Sequence, residues 1–376
     1  LGAGGYGYER KGNGTAMVRY RGAGAPDTTF NGTGKLTIAI DASADVALSV
    51  IQQADGKLVA AGYSSNLSGN SDFALVRYNS DGTLDTTFNG TGKLSTAIGA
   101  WNDYAYSVIQ QADGKLVVAG YSYNYISSNS DFALVRYNSD GSLDTTFNGT
   151  GKLTTAIGAS SSEDGAHSVI QQADGKLVVA GYSYSGGNYD FALVRYNSDG
   201  SLDTTFNGTG KLTTAIVSLT DQANSVIQQA DGKLMVAGYS RKSNENDDFA
   251  LVRYNSNGSL DTTFNGTGKL TTAIGAARDQ AYSVIQQADG KLAVAGYAEL
   301  PTGQEFVVAR FESGQLDTDG DGYVDGLDTD DDNDGVADGG DAFPLDASES
   351  VDTDGDGIGN NADATPNGDT DSDTVD

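Results

Sequence analysis

Ser107-Val-Ile-Gln-Gln-Ala-Asp-Gly-Lys-Leu-Val-Val-Ala-Gly-Tyr121 is the stretch that decides the fold. Two runs rich in β-branched residues flank its Asp-Gly pair, which can supply the positive φ angles of a two-residue hairpin turn. The first nine residues of the stretch recur four more times, beginning at Ser49, Ser168, Ser225 and Ser283. Their spacings of 58, 61, 57 and 58 residues identify a repeat that pervades the chain.

Each repeat contains four short runs with strand composition, separated by clusters of Gly, Asn, Asp and Ser. In one copy these are strand a (104–110), strand b (115–121), strand c (132–137) and strand d (152–157). None of the runs has helical periodicity. The pattern predicts an all-β fold, a β-propeller of about six four-stranded blades, since the turns of a solenoid are usually shorter.

The order of strands within a blade depends on the linker between strands c and d. This linker comprises the 14 residues 138–151, long enough to cross from the outer edge of one blade to the inner strand of the next. Blades are therefore predicted to run d-a-b-c, with five full blades ending at Phe311. Ala3 to Tyr6 and Ala16 to Tyr20 are predicted to be strands b and c of a further blade whose start is missing.

Loops are expected to separate into two faces, because neighbouring antiparallel strands alternate in direction. The a–b turn and the c–d linker share one face and are nearly constant between copies. The b–c and d–a loops share the other face and vary, for example 122–130 against 183–189. Variation on one face of a rigid scaffold is typical of a binding surface, although unconstrained loop drift produces the same pattern.

The repeat resembles the delta-60 repeat, a bacterial domain of unknown function with a predicted β-propeller fold. The matching segments are Gln110 to Tyr121, Asp131 to Gly141 and Leu143 to Phe147, and the resemblance covers residues 1–311. It implies a secreted or surface-exposed bacterial protein and supplies no reaction. The linker Phe147-Asn-Gly-Thr-Gly151 departs from the usual Phe-Gly-Thr-Gly-Gly, which affects only the expected turn geometry.

A second domain is predicted from residue 312 onward. Residues 312–376 contain 20 Asp, 2 Glu and no Lys or Arg. They therefore carry -22 of the formal net charge of -29 of the whole chain. The domains are therefore 1–311, the propeller, and 312–376, an acidic tail. The negative charge disfavours binding to nucleic acids, whose phosphates are also negative. No apolar run is long enough to span a membrane. The chain has no cysteine, which excludes disulfides. Because the chain begins at Leu1 without a basic or apolar leader, we expect it to be a fragment or part of a longer precursor.

Three tail loops have Asp at alternating positions and Gly at the sixth, a pattern suited to Ca²⁺, which takes six to eight oxygen ligands. The predicted ligands occupy positions 1, 3, 5, 9 and 12 of each loop. They are Asp317, Asp319, Asp321, Asp325 and Asp328; Asp330, Asp332, Asp334, Asp338 and Asp341; and Asp352, Asp354, Asp356, Asn360 and Asp363.

These loops differ from EF-hands because position 12 is Asp and no amphipathic helix flanks them. They resemble thrombospondin type 3 repeats, a resemblance that covers Asp317 to Asp363 and implies Asp-rich loops wrapped around calcium ions. Asn360 replaces an acid, so the third site should be the weakest. The alternative is a disordered acidic linker, which long blocks of like charge usually form.

The function predicted from these patterns is a secreted or cell-surface bacterial adhesion or binding protein, not an enzyme, whose calcium-stabilised stalk carries the propeller. A surface glycan or a protein is the expected partner of the variable loop face. The alternatives are a purely structural spacer and a secreted polysaccharide-acting enzyme or lectin. No asymmetric polar constellation indicates catalysis, and the single histidine, His167, is predicted to be a surface residue of a d–a loop.

Two residues recur once in each repeat and have simple structural explanations. The arginine of strand c could form a cationic ring, but pairing with the repeated aspartates is the favoured interpretation; it recurs as Arg19, Arg77, Arg136, Arg195, Arg253 and Arg310. The tyrosine of strand b could stack on sugars, yet packing between blades is favoured; it recurs as Tyr63, Tyr121, Tyr182, Tyr239 and Tyr297.

Overall fold

The computed structural model describes the backbone of residues 2–9, 12–22, 24–40, 44–158, 162–217, 219–242, 246–275, 277–300, 303–312, 329–355, 357–363 and 366. Side chains are described in these ranges from residue 16 onward, apart from residue 185. Within them the chain forms six antiparallel sheets, blades 1 to 6, and one short 3-10 helix, Asp338–Gly340. The described residues contain no helix with the length and apolar character needed to cross a membrane.

Each blade consists of three or four strands that are consecutive in the sequence. Blade 1 contains β1 (Gly2–Glu9), β2 (Gly12–Arg19) and β3 (Lys35–Ile38); blade 2 contains β4 (Asp45–Gln52), β5 (Leu58–Ser65), β6 (Ser71–Tyr78) and β7 (Lys93–Thr96); blade 3 contains β8 (Asp103–Gln110), β9 (Leu116–Asn124), β10 (Asn129–Tyr137) and β11 (Lys152–Thr155). Blade 4 contains β12 (Asp164–Gln171), β13 (Leu177–Ser185), β14 (Asn188–Tyr196) and β15 (Lys211–Thr214); blade 5 contains β16 (Asp221–Gln228), β17 (Leu234–Arg241), β18 (Asp247–Tyr254) and β19 (Lys269–Thr272); blade 6 contains β20 (Asp279–Gln286), β21 (Leu292–Leu300) and β22 (Gly303–Phe311). The all-β, multi-blade architecture predicted from the repeat is confirmed.

The a–b hairpin turn is one residue longer than predicted. Strands β8 and β9 pair up to Gln110 and Leu116, and the Gln111 amide donates to the Lys115 carbonyl at 2.8 Å. Only Gly114 has a positive φ, 85°, whereas a two-residue type I′ turn needs two such residues. The turn is therefore a three-residue loop that ends on a left-handed glycine.

Strand d completes its own blade and does not start the next one, so the predicted order d-a-b-c is wrong. In blade 3, β11 pairs antiparallel with β10, from Phe132 opposite Thr155 to Val135 opposite Lys152. The c–d linker reverses instead of crossing, because Asn148 has φ 51° and the Gly151 amide bonds back to the Phe147 carbonyl at 2.7 Å. The blade order is a-b-c-d, and the d–a loop makes the crossing to the next blade.

This correction also changes the blade inventory. Four blades have four strands, while blade 1 consists of strands b, c and d and blade 6 of strands a, b and c. The count of about six blades holds, but the prediction of five full blades ending at Phe311 does not. Strands b and c of the first blade are confirmed as β1 and β2.

The hydrophobic core lies between blades. The cluster between blades 3 and 4 joins Val117, Phe132 and Phe147 of one blade to Val169 and Leu177 of the next, all with at most 2% exposure. Across blades 2 to 6, strand a of each blade contacts strand a of its neighbour, and the Ser107 hydroxyl accepts the Val169 amide at 3.3 Å. Strand a is therefore the innermost strand, and each blade depends on its neighbour to bury its apolar face.

The terminal blades have uncovered faces. Phe306 and Val308 of blade 6 are 80% and 63% exposed, although the equivalent Phe249 and Leu251 of blade 5 are each 1% exposed. On the opposite side of the array, Tyr20 of blade 1 is 43% exposed. Within the described residues no further blade packs on either face.

The uncovered face yields a paired stability test. Phe249→Ala should lower the free energy of unfolding by about 3–5 kcal/mol, because it empties a buried site between blades. Phe306→Ala should change it by less than about 1 kcal/mol, because the ring is already largely in water. Denaturant unfolding of both variants measures the difference, and a cost at Phe306 equal to that at Phe249 would mean that another blade covers this face in solution.

Candidate metal-binding loops and loop face

The second tail loop brings three of its predicted ligands together. Carboxylate oxygens of Asp330, Asp332 and Asp334 lie within 4.8 Å of one another. Asp332 is only 7% exposed, and its Oδ2 is buried without a hydrogen-bond partner among the described atoms. An unpaired buried carboxylate oxygen is costly unless a cation compensates it.

The electrostatics of this cluster are those of an anionic cage. Burial raises the pKa of Asp332, and the charges of Asp334, Asp341 and Asp330 raise it further. The Oδ2 atom of Asp341 is also buried without a hydrogen-bond partner in the described structure. Carboxylate oxygens gathered in this way are the ligands that hard divalent cations prefer.

The second and third loops share one hydrogen-bond framework, built on three equivalent bonds. The amide of the sixth-position glycine donates to the first-position carboxylate: Gly335 to Asp330 at 3.1 Å, and Gly357 to Asp352 at 3.0 Å. The second-position amide donates to the ninth side chain: Asp331 to Asp338 at 2.9 Å, and Thr353 to Asn360 at 3.0 Å. The ninth amide donates to the carbonyl preceding the loop: Asp338 to Thr329 at 3.0 Å, and Asn360 to Val351 at 2.9 Å.

The glycine at position 6 is required for this framework. Gly335 and Gly357 have φ angles of 95° and 90°, in the left-handed region that other residues rarely adopt. The equal spacing that identified the loops in the sequence thus corresponds to the same backbone conformation in both.

The remaining predicted ligands lie outside the described residues or form hydrogen bonds within the tail. Asp317, Asp319, Asp321, Asp325, Asp328 and Asp356 lie outside the described residues. Asp338 and Asn360 accept amide bonds within their loops, and Asp341 Oδ1 accepts the Phe343 amide at 2.7 Å. The described part of the third loop, with Asp352, Asp354 and Asp363, does not form a second carboxylate cluster like that of the second loop.

Glu349 is a tail residue whose role the loop spacing did not predict. It is 7% exposed and lies between the second and third loops in the sequence. Its Oε2 accepts the Asn361 amide at 3.0 Å, so it holds the end of the third loop. The only sequence signal was that it is the one glutamate among the aspartates of residues 313–376.

The two predicted loop faces of the propeller are confirmed by contacts. On the constant face, a cleft of about 480 Å³ lies between the a–b turn and the neighbouring blade, lined by Asp55, Lys57, Arg77 and Asp140 among others. On the variable face, the Ser71 amide donates to Asn102 Oδ1 at 2.9 Å and thereby joins a b–c loop to the following d–a loop.

The repeated arginines are structural, as predicted. Arg195 Nε lies 2.7 Å from Asp203 Oδ2, and its guanidinium lies 4.7 Å from the centre of the Phe206 ring. Arg195 also donates to the Ser256 carbonyl of the next blade. The same Arg–Asp pair at 2.7 Å recurs at Arg77, Arg136 and Arg253. Arg310 pairs instead with Asp289 of the a–b turn.

A buried aspartate begins strand a in each of blades 2 to 6 and ties the variable d–a loop to the sheet. Asp221 accepts the Ile216 amide at 2.7 Å and the Ser240 hydroxyl at 2.5 Å, and burial raises its pKa to about 6. The equivalent residues are Asp45, Asp103, Asp164 and Asp279, all with 0% exposure. This residue was missed from the sequence, although its repeat spacing could have revealed it.

His167 is not a loop residue, so its predicted position is wrong. It lies in strand β12, at the residue where a β-bulge interrupts pairing with β13. Its Nδ1 lies 2.9 Å from Asn224 Oδ1 of blade 5, and burial lowers its pKa. The period-2 strand pattern was hidden at this position because the bulge residue varies between copies: Leu48, Tyr106, His167, Asn224 and Tyr282.

Five stretches of the chain, 53–88, 111–147, 172–206, 229–264 and 287–319, match the family described as "Domain of unknown function (DUF5122) beta-propeller". Residues 53–319 carry five repeats of this family. The first four DUF5122 matches each run from the end of strand a to the phenylalanine of the c–d linker, and so centre on strands b and c. The β-propeller repeat predicted from the resemblance is confirmed.

No curated protein matches the chain. Among solved structures, the chain is similar to a protein from Lactobacillus plantarum, with 15% identity, a TM-score of 0.44 and coverage of 83% of this chain and 82% of that one. It is also similar to a polysaccharide lyase of family PL25, an ulvan lyase, with 10% identity, a TM-score of 0.46 and coverage of 81% and 73%. A third is the endo-arabinase from Bacteroides thetaiotaomicron, with 11% identity, a TM-score of 0.41 and coverage of 70% and 92%. At these identities the likeness concerns the fold alone.

The prediction that the chain is not an enzyme is wrong, because the comparisons do not allow an enzymatic function to be excluded. The solved structures similar to it include the lyase, the arabinase and a family-43 glycoside hydrolase, so enzymes are among the proteins with this architecture. The prediction relied on finding a polar constellation within one stretch of sequence. A propeller brings together side chains from different blades, which lie far apart in the sequence, so that search could not exclude a catalytic site.

Proposed function

We propose that the chain is a secreted or cell-surface bacterial binding protein, in which a propeller presents its variable loop face to a partner and a calcium-loaded tail forms a stalk. The observation that carries the calcium part is the buried, unpaired Oδ2 of Asp332 within a cluster of three carboxylates. A disordered acidic linker would not be expected to bury a carboxylate, because its like-charged side chains repel one another when no cation binds them.

Calcium fits this cluster better than magnesium. The loop supplies carboxylates from residues two apart on an irregular backbone, which suits the flexible coordination of Ca²⁺ more than the strict octahedron of Mg²⁺. Extracellular calcium modules bind in the range of about 10⁻⁴ to 10⁻³ M, and an extracellular location is therefore part of the proposal. By analogy with thrombospondin type 3 repeats, metal binding and ordering of the tail would be a single event.

Calorimetric titration of the full chain with CaCl₂ tests the proposal. Asp332→Asn preserves the size of the side chain but removes its charge, and should weaken one binding event by on the order of tenfold or more. Asp346→Asn is the matched control, because the side chain of this exposed tail aspartate accepts bonds only from the amide and hydroxyl of Ser348 in the described structure. The control should bind calcium like the unmodified chain.

The hydrodynamic radius gives an independent readout, since the tail should compact when calcium binds. Equal weakening by Asp332→Asn and Asp346→Asn would indicate diffuse charge screening and contradict a defined site. If calcium produced neither a heat of binding nor compaction, the calcium proposal would be refuted and the tail would be interpreted as an acidic linker.

A further inference from the structure

One part of the variable face is unusually aromatic. The d–a loop before blade 3 carries Trp101, and the end of β9 and the loop after it carry Tyr123 and Tyr125. The facing ends of β13 and β14 in blade 4 carry Tyr184 and Tyr189. We call these five residues the aromatic patch. Trp101 is the one tryptophan of the chain, and the b–c loops of blades 2, 5 and 6 with their adjoining strand ends, residues 65–71, 241–247 and 299–304, contain no aromatic residue. The patch is therefore not a consequence of the repeat.

The rings of the patch reach solvent. Tyr125 is 54% exposed and Tyr184 is 39% exposed. Tyr125 meets Trp101 with ring centres 5.4 Å apart and Tyr123 at 4.8 Å, both edge-on. Tyr184 meets Tyr189 in the same way at 5.1 Å. Half-exposed aromatic rings supported by other rings are arranged for contact with a ligand, because they keep an accessible surface without free rotation.

The two halves of the patch are held next to each other. Ser130, at the start of β10, forms a parallel β-bridge with Glu163 in the following d–a loop. The Tyr189 hydroxyl in turn donates to the Glu163 carboxylate. Beneath the patch, ring contacts run from Tyr121 through Tyr106, His167 and Tyr182 to Tyr189, with centres 4.8–5.7 Å apart. Blades 3 and 4 thus present the patch on one connected support.

Polar groups surround the rings, and their charge limits the ligand. Asn102 Nδ2 donates to the Tyr125 hydroxyl at 3.3 Å, and Asn188 Nδ2 donates to the Leu219 carbonyl at 3.0 Å. The loops 99–102, 122–130, 158–163 and 183–190 contain no Lys or Arg, whereas Glu163 is exposed. Sulfate or uronate groups would therefore meet no Lys or Arg of these loops and two carboxylates, Glu163 and Asp190, which is unfavourable.

We infer that the aromatic patch binds an uncharged glycan chain. The C–H faces of pyranose rings pack on exposed tyrosine and tryptophan rings, and their hydroxyls bond to amides and carboxylates such as those of Asn102, Asn188 and Glu163. A protein partner fits less well, because the exposed apolar side chains that accompany the rings, Ile126 and Leu219, are few and most neighbouring residues are Ser, Asn and Gly. The inference names the ligand class for the binding face of the proposed function and is independent of the calcium loops.

The full chain should first be applied, with and without EDTA, to an array of neutral glucans, mannans, galactans and xylans beside sulfated and uronate polymers. Binding is expected to neutral polymers and to persist in EDTA. Titration with the bound polymer should alter the fluorescence of Trp101, a site-specific readout because no other tryptophan is present. Tyr125→Ala and Tyr184→Ala should each weaken binding by on the order of tenfold, in line with losing an aromatic anchor.

Leu67→Ala is the matched control, since Leu67 is 86% exposed in the equivalent loop of blade 2 and should not contribute. Binding restricted to anionic polymers, equal loss in the Leu67 variant, or unchanged Trp101 emission would overturn the inference. So would a patch that binds only protein ligands. If the chain bound calcium but no neutral glycan, glycan binding by the aromatic patch would be refuted and the calcium proposal would stand.

Discussion

Gly120→Ala is expected to prevent blade 3 from folding. A Cβ atom at Gly120 would lie 1.9 Å from the Tyr104 carbonyl oxygen of the neighbouring strand, and the atom it would meet is backbone, which cannot rotate away. The carbonyl is so close because a β-bulge between Ala105 and Ser107 shifts the register there. The free energy of unfolding should fall by more than about 4 kcal/mol, or no folded protein should be recovered.

Denaturant unfolding monitored by Trp101 fluorescence measures this loss. Gly22→Ala is the control, because no atom lies within 4 Å of the Cβ it would add, and it should unfold like the unmodified chain. The same close approach recurs at Gly62, Gly181, Gly238 and Gly296, with distances of 1.8–2.0 Å, which explains the constancy of the Ala-Gly motif in strand b. A Gly120→Ala protein of normal stability would contradict the bulged register.

Arg195→Met is expected to lower the free energy of unfolding by about 3–5 kcal/mol, because it leaves the buried carboxylate of Asp203 with only the more distant Lys176 Nζ, 3.5 Å away, as a paired cation in the described structure. The substitution also removes the contact of the guanidinium with Phe206 and its hydrogen bond to the Ser256 carbonyl, so the interface between blades 4 and 5 weakens. Arg195→Met combined with Asp203→Asn should recover part of the loss, since no buried carboxylate then lacks its arginine, and Lys176 keeps its pair with Asp174 at 2.9 Å.

The pH dependence gives this prediction a second test. Burial alone would raise the pKa of Asp203, but hydrogen bonds from Thr205 and the charge of Arg195 lower it to about 2. A carboxyl group with a lowered folded pKa stabilises the fold above its unfolded pKa of about 4, and this contribution is lost as the pH falls through about 2. The stability difference between the unmodified chain and Arg195→Met should therefore shrink on acidification to pH 2. A difference that does not change with pH would argue against the ion pair.

The repeat predicted the strands but not where one blade ends and the next begins. A periodic sequence has no unique starting point, so a-b-c-d and d-a-b-c fit the same spacings. The answer depended on whether the c–d linker crosses or reverses, and the reversal rests on Asn148, Gly149 and Gly151 in left-handed conformations. Asn-Gly-x-Gly is a turn signal, and giving it more weight than the linker length would have led to the correct order.

Spacing alone predicted which residues lie close together where those residues are near neighbours in the sequence. The alternation of Asp330, Asp332 and Asp334 was sufficient to bring three carboxylates together, because neighbouring residues on a tight loop remain close in space. The aromatic patch draws residues from two blades, and the half-buried position of His167 depends on a bulge, so neither follows from local sequence. Contacts between blades depend on the packing of whole sheets, as does the exposure of Phe306.

The most direct test of the calcium site is an anomalous difference map from crystals of the full chain grown with calcium. We expect a peak within about 2.3–2.6 Å of carboxylate oxygens of Asp330, Asp332 and Asp334, with the sixth-position Gly335 retaining its left-handed conformation. A map with no peak at these three carboxylates, in crystals that contain saturating calcium, would show that this loop of the tail is not a calcium site.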